Sequence, residues 1–191
     1  ALSSSHTRCS ALENTALADD SKLHTNTPIA LTIAGSDSGG GAGIQADLKA
    51  FSAMGAYGAS VITALTAQNT RAVTAVHDTP IDIIRAQLDA VFDDLPVSAV
   101  KIGMLSSPEI IDTVAECLKD VAVPIVLDPV MVAKSGDALL RDEAVATLRS
   151  TLVPMATILT PNLPEAARLL DSTDVVDEEA MMEQGNALLA L

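Results

Sequence analysis

The stretch Gly35–Asp47, Gly-Ser-Asp-Ser-Gly-Gly-Gly-Ala-Gly-Ile-Gln-Ala-Asp, limits the folds open to this chain more than any other. Four glycines fall within residues 39–43, so the backbone there can turn sharply and approach a ligand closely. Before the loop, Ile29–Ala34 reads as a short buried strand. After it, Ile44–Met54 reads as a helix, with Ile44, Leu48 and Phe51 on one apolar face. A loop joining a strand to a helix start offers unpaired N–H groups to a polar ligand. The alternative is a loop that merely turns the chain. Against it stand two acidic residues, Asp37 and Asp47, where a turn needs only one. Asp47 falls one helical turn after Gly43, which lets its carboxylate point back toward the loop.

Two familiar phosphate loops fit poorly. Gly41-Ala-Gly43-Ile-Gln-Ala46 matches G-x-G-x-x-A, but the dinucleotide fingerprint wants an acid about 20 residues on. After Asp47 the next acid is Asp78. The Walker A pattern fails because no Gly-Lys-Ser/Thr follows the glycines.

From residue 28 onward, strand and helix patterns alternate. Gly58–Gln68 reads as one buried strand, Ala72–His77 as a short edge strand and Ile81–Leu95 as an amphipathic helix. Thr79 stands ready as its cap, with Pro80 in the first turn. Ser98–Ile102 is a strand, and Ser107-Pro108 opens a helix to about Lys119. Pro124–Leu127 is a strand, Arg141–Leu152 a helix, Thr157–Leu159 a strand and Pro164–Leu170 a helix. Asp177–Leu191 reads as helical to the last residue. Near-continuous apolar strands alternating with helices predict an α/β fold, a mainly parallel sheet covered on both faces. Aromatic residues make up 2% of the chain while 49% is hydrophobic, so the core must be aliphatic.

In such sheets, ligands bind beyond the carboxyl ends of the strands. Polar residues collect at those ends: Ser36-Asp37, Gln68-Asn69-Thr70, Lys101 with Gly103, Asp128, and Thr160-Pro-Asn162-Leu-Pro-Glu165. Any one of them is explained by a satisfied turn. Five together favour one shared pocket.

The net charge of −14 repels nucleic acid and anionic membranes and excludes both as main partners. It also requires any phosphate chemistry to use metal ions, backbone N–H groups or a few placed lysines. No apolar run reaches the ~18 residues of a membrane helix. Residues 1–27 are Ser/Thr/Asn-rich without apolar period and read as a disordered extension. Their His6 and His24 carry no metal-ligand spacing. Cys9 and Cys117, far apart, suggest reduced thiols in a cytoplasmic protein.

Five stretches in order resemble hydroxymethylpyrimidine/phosphomethylpyrimidine kinases of thiamine biosynthesis, within the ribokinase-like superfamily. They are Ala-Gly-Ser-Asp-Ser-Gly-Gly-Gly-Ala-Gly-Ile-Gln-Ala-Asp-Leu-Lys, Val-Ile-Thr-Ala-Leu-Thr-Ala-Gln-Asn-Thr, Lys-Ile-Gly-Met-Leu, Val-Leu-Asp-Pro-Val-Met-Val-Ala-Lys-Ser-Gly-Asp and Leu-Thr-Pro-Asn-Leu-Pro-Glu-Ala. The resemblance covers residues 29 to about 190. It implies a ribokinase-like, doubly wound sheet in residues 28–191. It also implies ATP-dependent phosphorylation of 4-amino-5-hydroxymethyl-2-methylpyrimidine and then of its monophosphate. Pyridoxal-type substrates, or ring binding without catalysis, are the alternatives.

The same likeness assigns roles by position. Asp47 and Gln68 would hydrogen-bond the aminopyrimidine edge, which needs a carboxylate and an amide that both donates and accepts. Gly35, Ala42 and Gly43 would bring backbone to the substrate, and Met104 and Val130 would pack on the ring. Asn162 and Glu165 match an Asn-x-x-Glu motif near Mg²⁺ and the phosphates. Asp128 would reach the same ion, through water. Lys134, on a glycine-containing loop, would close over the phosphates. The family's anion hole and catalytic base belong to a part beyond Leu191, so this chain corresponds to the N-terminal, substrate-binding part. Taken alone it is not expected to transfer phosphate. The likeness implies a homo-oligomer, a dimer or higher.

Overall fold

The computed structural model describes residues 27–131, 140, 142–173, 175 and 177–191. The expected N-terminal extension, with Cys9, His6 and His24, and the expected phosphate lysine Lys134 lie outside the described residues.

Among the described residues, seven strands and six α-helices follow in order: β1 (Ile29–Ala34), α1 (Gly43–Ala53), β2 (Tyr57–Ile62), β3 (Ala64–Gln68), β4 (Val73–Asp78), α2 (Ile81–Asp94), β5 (Ala99–Ile102), α3 (Pro108–Leu118), β6 (Ile125–Leu127), α4 (Asp142–Thr147), β7 (Ile158–Leu159), α5 (Leu163–Leu169) and α6 (Glu178–Leu188). Five strands form a parallel sheet in the order β2-β1-β5-β6-β7, and β3 with β4 forms a separate antiparallel pair. The chain steps from β1 to β2 in one direction, then returns past β1 to β5, β6 and β7. Parallel crossovers are right-handed, so α1 falls on one face and α2, α3 and α4 on the other. The packing agrees: α1 lies on β1 and β2, whereas α3 packs against α2 and α4. The reversal makes the junction of β1 and β5 a topological switch point.

The core is aliphatic, as the composition requires. Leu31, Ile33, Val61, Ile102 and Leu127 from the sheet are fully buried with Ile84, Ile111 and Leu152. Side chains from both sheet faces are sequestered, which is why β1 and β5 are apolar apart from Thr32 and Lys101.

Four expectations need correction. Gly58–Gln68 is two strands. β2 stays in the parallel sheet, Thr63 breaks away, and β3 leaves to pair with β4. Thr63 donates its N–H to Ala34 O (3.0 Å) and its hydroxyl to Met104 O (2.8 Å). Both bonds tie the break to β1 and to the segment after β5. β3 alternates buried and exposed, with Leu65 out and Thr66 in, the pattern of a one-sided strand. Thr79 does not cap α2: Pro80 occupies the cap position and the Thr79 N–H goes to Thr63 O (3.0 Å). The helix expected over Arg141–Leu152 is α-helical only to Thr147, then widens to a π-turn over Leu148–Leu152 and a 3₁₀ turn over Val153–Met155. Pro154 has no N–H to continue the ladder. The Ser150 hydroxyl also competes for the Ala146 and Thr147 carbonyls. Finally, α6 stops at Leu188 instead of reaching Leu191.

Candidate functional site

The glycine loop is folded around a side chain of its own. Asp37, buried, accepts hydrogen bonds from Gly39 N through Oδ1 (2.8 Å) and from Gly41 N and Ala42 N through Oδ2 (2.9 and 2.8 Å). Its own N–H donates to Gln45 Oε1 (2.7 Å), and Ile44 N donates to Gly35 O (3.0 Å). The expected row of free N–H groups is therefore largely engaged inside the loop, and Asp37 occupies the place that an anion would take. The turn back onto β1 needs glycine at 43. Its φ is +54°, and a Cβ there would sit 2.3 Å from Gly35 O.

The loop's serines fasten β3 in place. Ser36 N donates to Ala64 O (2.8 Å), and Thr66 bonds Ser36 twice, through its N–H to Oγ and through its hydroxyl to the carbonyl. The Ser38 hydroxyl donates to Gln68 O (2.6 Å) and accepts from Gln68 N (2.8 Å). Local chemistry in the loop thus sets where Gln68 ends up. Its side-chain Oε1 accepts from Thr66 Oγ1 (3.3 Å).

Between the loop, β3 and the tips of β1, β5 and β6 lies a cavity of about 650 Å³, within the usual size of small-molecule sites. Gly35, Ala42, Gly43, Asp47, Gln68, Met104, Val130 and Asp128 all line it, as do Asp37 and Lys101. Asp47 and Gln68, from α1 and β3, therefore meet at one space. It sits at the switch point, where ligands of doubly wound sheets bind. Met104 forms a wall tight against Gly35, where a Cβ would come within 2.9 Å of its sulfur.

The cavity's charged groups are linked. Asp47 Oδ2 accepts from the buried Thr32 hydroxyl (2.6 Å) and from Lys101 Nζ (3.1 Å). Lys101 Nζ lies 3.7 Å from Asp128 Oδ2. Burial pushes the Asp128 carboxyl above its ordinary value. Lys101 opposes the rise and the like charge of Asp47 adds to it. In sequence Lys101 stands among the polar strand ends without a role of its own, and Thr32 does not stand out at all. The available signal was a lysine and a threonine inside otherwise apolar strands that are covered on both faces.

Asn162 and Glu165 stand elsewhere, at the start of α5. They form a reciprocal capping box: Glu165 N donates to Asn162 Oδ1 and Asn162 N to Glu165 Oε2, both at 2.9 Å. Glu165 Oε1 accepts from Met131 N (3.3 Å), so both oxygens of this buried carboxylate hold backbone. Neither residue lines the cavity, and among the described residues no three His, Cys, Asp or Glu side chains form a metal cluster. A second groove, of about 450 Å³, runs between β7, α5 and α6. It is walled mainly by apolar residues such as Ile158, Leu163 and Met181. Cys117 is free and half-buried on α3, its thiol pushed up by burial. No helix among the described residues is long and apolar enough to cross a membrane.

The sequence profile of the phosphomethylpyrimidine kinase family matches residues 37–191. The chain is 60% identical over 163 residues to the hydroxymethylpyrimidine/phosphomethylpyrimidine kinase of Rhizobium meliloti and 58% identical to that of Escherichia coli. Each match covers 85% of this chain but 61% of the relative, so the chain spans less than two thirds of their length. Among solved structures, it superposes on phosphomethylpyrimidine kinase from Clostridium difficile with a TM-score of 0.80 at 53% identity, over 86% of this chain and 71% of that one. On pyridoxal kinase from Staphylococcus aureus in complex with pyridoxal, the values are 0.78 and 32%, over 86% and 61%. With a profile match over most of its length and relatives identical at more than half of the aligned positions, this chain belongs to the phosphomethylpyrimidine kinase family.

Proposed function

We propose that this chain forms the ring-binding part of an ATP-dependent kinase acting on 4-amino-5-hydroxymethyl-2-methylpyrimidine and its monophosphate. The observation that carries the reading is the convergence of Asp47 and Gln68 on one cavity at the switch point. A flat heteroaromatic ring suits that space. Asp47 accepts from the ring's amino group. The Gln68 amide donates to a ring nitrogen or accepts from the amino group. Met104 and Val130 pack on the faces, and the backbone of Gly35, Ala42 and Gly43 closes the edge. Asp128 stands across the Lys101 ammonium from Asp47.

Mg²⁺ fits the Asp128 carboxylate through bound water, and when present it neutralises the polyphosphate. Glu165 fits less directly, since both of its oxygens already hold backbone N–H groups. Asn162 and Lys134 remain the candidates for the phosphate side. In this scheme the chain's contribution to phosphoryl transfer is positioning and exclusion of water.

A pyridoxal-type substrate is the second reading, supported by the likeness to the S. aureus kinase that holds pyridoxal. It stands behind the first because the identity to that protein is about half the identity to the pyrimidine kinases. Titration calorimetry of the chain with the aminopyrimidine and with pyridoxal tests both. We expect tighter binding of the aminopyrimidine and a loss of about five- to tenfold in Gln68→Ala, the value of one or two ligand hydrogen bonds. Stronger binding of pyridoxal reverses the order of the readings. An unaffected Gln68→Ala removes the first one's support.

A further inference from the structure

Lys101 is the one cation among the described residues that line the cavity, and its geometry is specific. It reaches Asp47 Oδ2 at 3.1 Å and Asp128 Oδ2 at 3.7 Å, with about a fifth of its side chain exposed. The same Asp47 oxygen takes the hydroxyl of Thr32, which is fully buried in β1. Two donors on one oxygen hold the plane of a carboxylate, because any rotation other than the half-turn that exchanges its equivalent oxygens breaks both bonds. No hydrogen bond is directed at Oδ1 among the described residues. That oxygen is left for a ligand. The ammonium also has a prepared place: a Cβ at Gly103 would come within 2.8 Å of Lys101 Nζ and 3.1 Å of Ala34 Cβ. The absence of a side chain two residues along β5's exit keeps the lysine where it is.

We propose that Lys101 is a positioning residue that sets the ring preference of the cavity. With Thr32 it locks Asp47 so that Oδ1 alone meets the ring's exocyclic amino group, and it stands between two carboxylates that would otherwise repel across the site. The proposal rests on the reading of the cavity as a pyrimidine site and adds the residue that selects for the amino substituent. Removing the lysine frees the carboxylate to rotate and to turn toward water. The cost then falls on ligands that need Oδ1 and spares those that do not.

The test is calorimetry with two probes, 4-amino-5-hydroxymethyl-2-methylpyrimidine and 5-hydroxymethyl-2-methylpyrimidine, which lacks the amino group. For Lys101→Met we expect about a tenfold loss of affinity for the amino compound and a change within about twofold for the other. In a double-mutant cycle, Lys101→Met adds little to Asp47→Asn but its full loss to Gln68→Ala. A purely structural lysine would lower both affinities together and show no such selective coupling, and that result overturns the proposal. Gly103→Ala, which keeps the lysine but displaces its ammonium, is expected to give the same pattern in smaller measure and carries the test if Lys101→Met fails to fold. Wild-type binding of the amino compound with an unchanged Lys101→Met overturns this proposal alone. A wild-type chain that binds neither probe overturns the ring reading and this proposal with it.

Discussion

Beside β1, the carboxylate of Asp47 keeps one oxygen unengaged at the edge of a cavity. After β7, the carboxylate of Glu165 spends both oxygens on backbone. Both residues follow strand tips of the same parallel sheet, and both belong to polar clusters that look alike in sequence. The difference lies in what surrounds them. Asp47 faces the switch point, where strands diverge and leave space, and its partners are side chains on one oxygen. Glu165 sits at the third position of α5, where unpaired helix-start N–H groups claim a nearby carboxylate. A polar residue at a strand end is therefore available to a ligand only to the extent that local backbone has not already used it. Asp37 makes the same point within the ring site, since it lines the cavity yet its oxygens hold the glycine loop together.

The widest separation between the two regions is expected at Gly43. Gly43→Ala must either strain a left-handed backbone or push against Gly35 O. We expect a loss of roughly 2–4 kcal/mol in urea denaturation and ring affinity reduced by more than about tenfold. A variant with unchanged affinity would show that the loop does not shape the site. Glu165→Ala works in the other region. It removes a capping-box partner and leaves the Met131 and Asn162 N–H groups unpaired, so stability is expected to fall by roughly 2 kcal/mol. Ring affinity should fall less than in Gln68→Ala. A loss confined to ring affinity would erase the contrast.

Asp128→Asn is the smallest effect and has a pH signature. The folded-state carboxyl lies above its unfolded value, so its ionisation costs stability as pH rises through the folded value. Removing it should leave the variant equal to wild type at acid pH and slightly more stable from there toward neutrality, as read by thermal melts. Because 37% of the side chain is exposed, water screens the difference, which should stay below about 1 kcal/mol. A variant that loses stability at neutral pH would mean that the bond to Lys101 outweighs the burial.

Much of this was legible from sequence. The run Ile29–Ala34, the glycine loop, the Ser107-Pro108 helix start and the polar strand tips carry strong local signals, and each appears where the pattern put it. The division at Thr63 was not legible. Gly58–Gln68 is a continuous stretch of small and β-branched residues, and what splits it is a pair of long-range bonds to Ala34 and Met104. The Asp47–Lys101–Asp128 linkage was hidden for the same reason: its members lie 27 to 81 residues apart in sequence and meet only through sheet order. The capping box at α5 was open to view. Asn162-Leu-Pro-Glu165 has an N-cap residue, a first-turn proline and a glutamate three positions on.

The central claim is that Asp47 and Gln68 grip one ring in one cavity. A crystal structure of the chain soaked with 4-amino-5-hydroxymethyl-2-methylpyrimidine tests it most directly. The account predicts the ring stacked against Met104, its amino group on Asp47 Oδ1 and its edge on the Gln68 amide. Density for the ring away from these two side chains, in the groove beside α6 or on the surface, would contradict it.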